Sequence, residues 1–90
     1  MADALPPGSV IGILGGGQLG RMLAVAASRL GLRCHIYDPA AACPAGDIAH
    51  FVTTGAWDDT GALSPFAAAC DVVTFEFENV PAASLDAIEA

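Results

Sequence analysis

An α/β fold, with a parallel sheet wound both ways from its first strand, is the fold class this 90-residue chain predicts. Three observations predict it. Apolar runs with β-branched or aromatic residues, at 9–14, 32–37, 50–54 and 71–77, alternate with helix-periodic stretches at 18–31 and 58–70. The first run passes straight through Gly15-Gly16-Gly17 into the first helical stretch, a strand, tight turn and helix in one breath. The second run follows within about thirty residues of the first, the span of a βαβ unit, whose strands are parallel and joined right-handedly.

Taken in order, residues 1–8 are a lead-in closed by Pro6-Pro7-Gly8, and the domain runs from 9 to 90. The first strand is 9–14. The first helix, 18–31, carries Leu19, Met22, Leu23, Ala26, Ala27 and Leu30 at i, i+3, i+4, i+7 spacing, so this face is expected to meet the core. Arg21, Ser28 and Arg29 fall on the other side, and Gly31 is a helix stop. The second strand, 32–37, ends at Asp38-Pro39. Residues 39–50 are rich in alanine, proline and glycine and read as a loop with room for one helical turn. A short third strand occupies 50–54. The helix at 58–70 presents Leu63, Phe66, Ala67 and Cys70 on one face; Pro65 leaves two starts open, one near Ser64 with the proline in its first turn, the other earlier with a kink. In the fourth strand, 71–77, Val73, Phe75 and Phe77 alternate with Thr74, Glu76 and Glu78, and Asn79-Val80-Pro81 opens a last helix. The doubly wound rule then gives a four-stranded parallel sheet of order 3-2-1-4, the first half of a Rossmann-like fold, with a ligand crevice between the carboxyl ends of strands 1 and 4.

Composition excludes several classes. With 54% hydrophobic and 14% charged residues the chain is too apolar for disorder, and one face is expected to be covered by more protein. The last helix reaches Ala90 without a cap, so the sequence is expected to be the truncated front of a longer protein. The formal charge of −7, with three arginines and no lysine, argues against nucleic acid as a partner. Without lysine there is no P-loop, and a phosphate must be held by backbone amides and a helix terminus; Arg21 is either a further phosphate partner or, from its place on the polar face, a solvated residue. Cys34, Cys43 and Cys70 show no C-x-x-C spacing and are expected as reduced thiols. The first residues lack a basic, apolar leader and no run of 18 apolar residues exists, so no membrane segment and a cytoplasmic location are expected.

Gly15, Gly17 and Gly20 are spaced as G-x-G-x-x-G between strand and helix. Such a turn lets backbone approach a phosphate while the first helical N–H groups point at it; the alternative is a close helix–strand crossing without ligand. Asp38 stands where a dinucleotide site keeps its ribose-binding acid, and equally where turn chemistry puts an Asp before proline. Glu76 and Glu78 end strand 4 on one face; the alternatives are solvated strand-end acids, the reading for Glu78, and a partner for a ligand amine or hydroxyl, for which Glu76, nearer the glycine turn, is the candidate. Gln18, in the first helical turn, is either a contact to the same ligand or an ordinary exposed helix-start residue. His35, His50 and Trp57 read as structural. No nucleophile–base pair or metal-ligand cluster is evident.

Two segments, Gly15-Gly16-Gly17-Gln18-Leu19-Gly20-Arg21-Met22-Leu23 and Thr74-Phe75-Glu76-Phe77-Glu78-Asn79-Val80-Pro81, closely resemble one family. It is the N-terminal domain of the 5-(carboxyamino)imidazole ribonucleotide synthases, ATPase subunits of phosphoribosylaminoimidazole carboxylase in the ATP-grasp superfamily. Asp38-Pro39, Pro44-Ala45 and Asp58-Asp59 also fit, and the resemblance covers about 9–90. It implies a carbon–nitrogen ligase that joins bicarbonate to the amino group of aminoimidazole ribonucleotide with ATP and Mg²⁺, through carboxyphosphate, in de novo purine synthesis. It further implies a pre-ATP-grasp domain without NAD. Gly15, Gly16 and Gly17 form its substrate-binding turn, Gln18 and Leu19 line the ribonucleotide's phosphate or ribose site, and Glu76 touches the ribose or aminoimidazole end. No catalytic or metal-binding residue is implied within the chain; the ATP and Mg²⁺ ligands belong to later domains, a homodimer is implied for the full enzyme, and the fragment alone is expected to be inactive. Pro65 departs from the family's regular helix. Two rival readings are the dinucleotide-binding domain of an NAD- or FAD-dependent oxidoreductase, resting on the glycines and Asp38, and a non-catalytic interaction domain, resting on the apolar composition.

Overall fold

The computed structural model describes residues 6–40 and 42–75. They form a four-stranded parallel sheet in the order β3-β2-β1-β4, the order expected from the sequence. The strands are β1 (Val10–Leu14), β2 (Arg33–Asp38), β3 (Phe51–Thr54) and β4 (Val72–Phe75); the helices are α1 (Gln18–Arg29) and α2 (Thr60–Ala68). A 3₁₀ turn at Pro44–Asp47 fills the helical turn allowed for in the second loop. The last helix expected at Asn79 lies outside the described residues, as do Glu76, Phe77 and Glu78.

Strand periodicity of two divides the core between the sheet's faces. Ile13 and Ile36, opposite each other in β1 and β2, face one way and pack with Ala24 and Ala27 of α1 and with Cys43 and Ala45. Leu14 and Tyr37, the next pair, face the other way and pack with Leu63 and Phe66 of α2. Register also places Leu14 beside Phe75, so the carboxyl ends of β1 and β4 lie level. His35 is structural as expected: its Nε2 lies 2.7 Å from Thr53 Oγ1 and its ring meets Phe66 edge-on. No helix among the described residues is long and apolar enough to cross a membrane.

α1 corrects one expectation. Of the expected stripe Ala27 alone is buried, and the face turned to the sheet is Gly20, Ala24 and Ala27. Met22 is 66% exposed and Leu30 72%, and Leu19, Leu23 and Val25 are also open to solvent. The physical reason is distance: small residues let the helix axis come close to the strands, whereas the larger apolar residues are spread round the remaining circumference. The helix ends as the sequence suggests. Gly31, at φ 79°, follows the cap residue Leu30, and the N–H groups of Gly31 and Leu32 donate to the carbonyls of Ser28 and Ala27, a Schellman closure.

α2 settles the Pro65 ambiguity in favour of the early start. The Asp59 carboxylate accepts from Ala62 N–H at 3.2 Å and caps a single helix that continues through Pro65. Leu63 and Phe66 are its buried residues, with Cys70 packed beside them.

Candidate functional site

The site grows from the end of β1. Gly15 has φ 109°, a conformation that L side chains rarely adopt, and this reverses the chain out of the sheet. Its N–H donates to Tyr37 C=O at 2.8 Å, extending the β1–β2 ladder by one bond. Gly16 is buried and held from both sides: its N–H donates to Asp38 Oδ2 at 2.8 Å, and its C=O accepts from Ala45 N–H at 2.8 Å. It also has no room for a side chain. A Cβ there would lie 2.5 Å from Cys43 Sγ and 3.0 Å from Ile36 Cγ2. Gly17 is the α1 cap residue, in extended conformation, and its C=O accepts the first helical bond from Arg21 N–H at 2.9 Å.

That cap supplies no side-chain acceptor to the helix start, and no acidic residue stands in the first turn of α1. The N1–N3 amides of an α-helix have no intrahelical acceptor and carry the positive end of the helix dipole, which together favour an anion. Gln18 and Leu19, both exposed, are the first two helical residues there. The predicted residues Gly15, Gly16, Gly17, Gln18 and Leu19 are thus one continuous turn and helix start at the carboxyl end of β1. The sixth, Glu76, lies outside the described residues. Phe75, the residue before it, pairs with Leu14, the residue before the glycine turn.

Asp38 makes the expected turn bond and a further bond to the glycine turn. Oδ2 accepts from Gly16 N–H at 2.8 Å, and Oδ1 accepts from Ala40 N–H at 2.9 Å. The second bond is the turn chemistry expected before Pro39. The first ties the end of β2 to the glycine turn through the same carboxylate. Sequence reasoning missed Tyr37, Cys43 and Ala45 as supports of this turn, because none is near it in the chain; Pro44-Ala45 drew notice only through the family resemblance.

Other charged and polar groups stand apart. Arg21 Nη1 is 3.9 Å from Asp47 Oδ2, a pair whose side chains are 43% and 77% exposed and whose attraction water largely screens. A groove of about 610 Å³ runs along the outer face of α1, lined among others by Gln18, Met22, Val25 and Arg29. Of the expected site's described residues it takes in Gln18, and it lies along the helix rather than at the strand ends. Burial pushes the Cys70 thiol up to about 11, with the Asp71 charge adding to it, and Cys70 Sγ donates to Phe66 C=O at 3.2 Å. Tyr37 is also raised, by burial first and then by Asp59 and Asp58, and its O–H donates to Ala56 C=O at 2.6 Å. The described residues bring together no group of three or more His, Cys, Asp or Glu side chains able to hold a metal ion.

Comparison with known proteins adds a family and a set of relatives. A model described as the ribonucleotide synthetase preATP-grasp domain matches residues 9–90. The chain is 55% identical over 83 residues to an N5-carboxyaminoimidazole ribonucleotide synthase of Brucella melitensis, an overlap of 92% of this chain and 23% of that protein. Among solved structures, an ADP complex of an N5-carboxyaminoimidazole ribonucleotide synthetase is similar at TM-score 0.92 and 40% identity, over 99% of this chain and 24% of that one. An Aspergillus clavatus N5-carboxyaminoimidazole synthase in complex with ADP and 5-aminoimidazole ribonucleotide is similar at TM-score 0.77 and 40% identity, over 88% of this chain and 21% of that one. The chain therefore spans under a quarter of the length of these relatives.

Proposed function

Because the chain belongs to the ribonucleotide synthetase preATP-grasp family, we propose that it is the substrate-side domain of an ATP-dependent carbon–nitrogen ligase. The ligase joins bicarbonate to the amino group of 5-aminoimidazole ribonucleotide, giving N5-carboxyaminoimidazole ribonucleotide for purine synthesis. In this reading residues 9–90 are the pre-ATP-grasp domain and 1–8 a lead-in. The observation that carries it is the buried glycine turn, which delivers an α-helix start without a capping side chain to the carboxyl end of β1, level with the end of β4.

The chemistry follows from that arrangement. The ribonucleotide's phosphate is the part of the substrate an uncapped helix start attracts, and it sets the molecule's position against amides rather than lysines. This matters in a chain of charge −7, whose overall field opposes an anion and leaves attraction to local dipoles. Gln18 and Leu19 contact the phosphate or ribose, with Gly15, Gly16 and Gly17 forming the floor beneath them. Glu76, following β4, accepts from the ribose hydroxyls or the aminoimidazole amine, so that the amine is held for attack on the activated carboxyl donor. ATP supplies that activation, with Mg²⁺ on its phosphates. The present residues do not suit either group: there is no lysine in the chain and no metal-ligand cluster among the described residues. Both are assigned to the part of the relatives' length that this chain does not span, as is catalysis itself. The complete enzyme is a cytoplasmic homodimer in this reading.

The test is ADP release by the protein expressed from its complete reading frame. Release that requires both bicarbonate and 5-aminoimidazole ribonucleotide is the expected result. A Glu76→Ala variant is expected to lose most of its ribonucleotide affinity or turnover; a variant normal in both would remove Glu76 from the site. Submillimolar NADH binding by the wild-type protein, detected by fluorescence and without ATP turnover, would replace the ligase reading with the oxidoreductase one.

A further inference from the structure

We infer that Asp38 is a positioning residue of the ribonucleotide site, acting through the Gly16 amide rather than by touching substrate; the inference rests on the ligase reading above. Three observations combine. Gly16 is buried, so its N–H needs a protein acceptor, and Asp38 Oδ2 at 2.8 Å is that acceptor. The carboxylate is itself fixed from a second direction, since Oδ1 accepts Ala40 N–H at 2.9 Å. On its other side the Gly16 C=O accepts from Ala45 N–H at 2.8 Å. The peptide units before and after the Gly16 Cα are thus each held by one bond, which restrains its φ and ψ, and the next residue, Gly17, is the cap from which α1 departs. Asp38 thereby sets the direction of the helix start that receives the phosphate.

The same bond fixes where an anion can sit. With its N–H committed to a carboxylate, Gly16 has no donor for a phosphate, and the Asp38 charge repels one placed against it. The phosphate is displaced along the chain to the Gln18–Leu19 amides. Glycine-turn sites of the dinucleotide type use their β2 acid on ribose; here the acid also organises the turn.

Asp38→Asn isolates the effect, because asparagine has nearly the same shape but one of its two polar atoms donates. Only one of the two backbone amides then keeps its acceptor, and the other faces an NH₂ group. On the complete protein, Asp38→Asn is expected to raise KM for 5-aminoimidazole ribonucleotide about tenfold, with kcat and KM for ATP unchanged within about twofold. Asp38→Glu, which keeps both acceptors, is expected to recover most of the lost KM. Asp59→Ala is the control: it removes the α2 cap and lowers the melting temperature, but leaves KM at the wild-type value. A flat KM across the Asp38 series, or a fall in kcat with KM unchanged, overturns the inference while the ligase reading stands. A wild-type protein without ribonucleotide-dependent ATP turnover overturns the ligase reading and this inference with it.

Discussion

Gly16 shows how closely a single position is specified. Its missing side chain leaves space that Cys43 Sγ and Ile36 Cγ2 already fill. Gly16→Ala is therefore expected to destabilise the fold by about 1–3 kcal/mol through overpacking, read from the urea midpoint. In a Cys43→Ala background the cost is expected to shrink but not vanish, because Ile36 Cγ2, at 3.0 Å from the added Cβ, stays. The sequence made the glycine turn legible, since three consecutive glycines between an apolar run and a helical period have few other uses. It left illegible which glycine is free for a ligand and which is enclosed. That depends on Asp38, Cys43 and Ala45, which are 22 to 29 residues further along the chain and meet Gly16 only once the sheet and the 3₁₀ turn have formed.

At the scale of elements, α1 is the instructive case. Its limits and its Gly31 stop could be read directly, but its orientation could not. A helical period of large apolar residues ordinarily marks the core face. In this helix Gly20, Ala24 and Ala27 share a face too, and the smaller set wins because it permits closer approach to the strands. A pair of substitutions separates the two faces. Leu30→Gln is expected to change stability by no more than about 0.5 kcal/mol, as an exposed change does. Ala24→Gln, on the buried face, is expected to cost about 2 kcal/mol or more, since a polar chain must enter a space made for a methyl group. Equal effects in thermal melts would return the core to the larger stripe. Pro65 was ambiguous for a related reason: local chemistry permits a proline early in a helix, and only the Asp59 cap, six residues before it, determines where the helix begins.

For the molecule as a whole, the sheet order was legible because alternation of strands and helices, right-handed connections and the doubly wound rule leave few other arrangements. Its buried ionisable groups give the whole fold a pH response. Cys70 is pushed up to about 11 and Cys34 and Tyr37 are also raised, so the folded chain retains protons that the unfolded chain releases. That stabilisation is complete below the ordinary thiol value of 9.0 and is lost as pH rises toward 11. His35 has the opposite sense: burial lowers it, so its contribution is complete above its ordinary value of 6.5 and declines on acidification below that. Urea midpoints are therefore expected to be highest between these limits, with Cys70→Ala flattening the alkaline limb. The strand order carries one more consequence, which concerns synthesis. β1 is made first yet stands in the interior of the sheet, between β2 and β4. On the ribosome it gains one neighbour when residue 38 has emerged, but the other flank stays unpaired until residue 75. For that interval the nascent polypeptide presents an apolar strand with open backbone groups, the kind of surface that recruits chaperones or a neighbouring nascent chain.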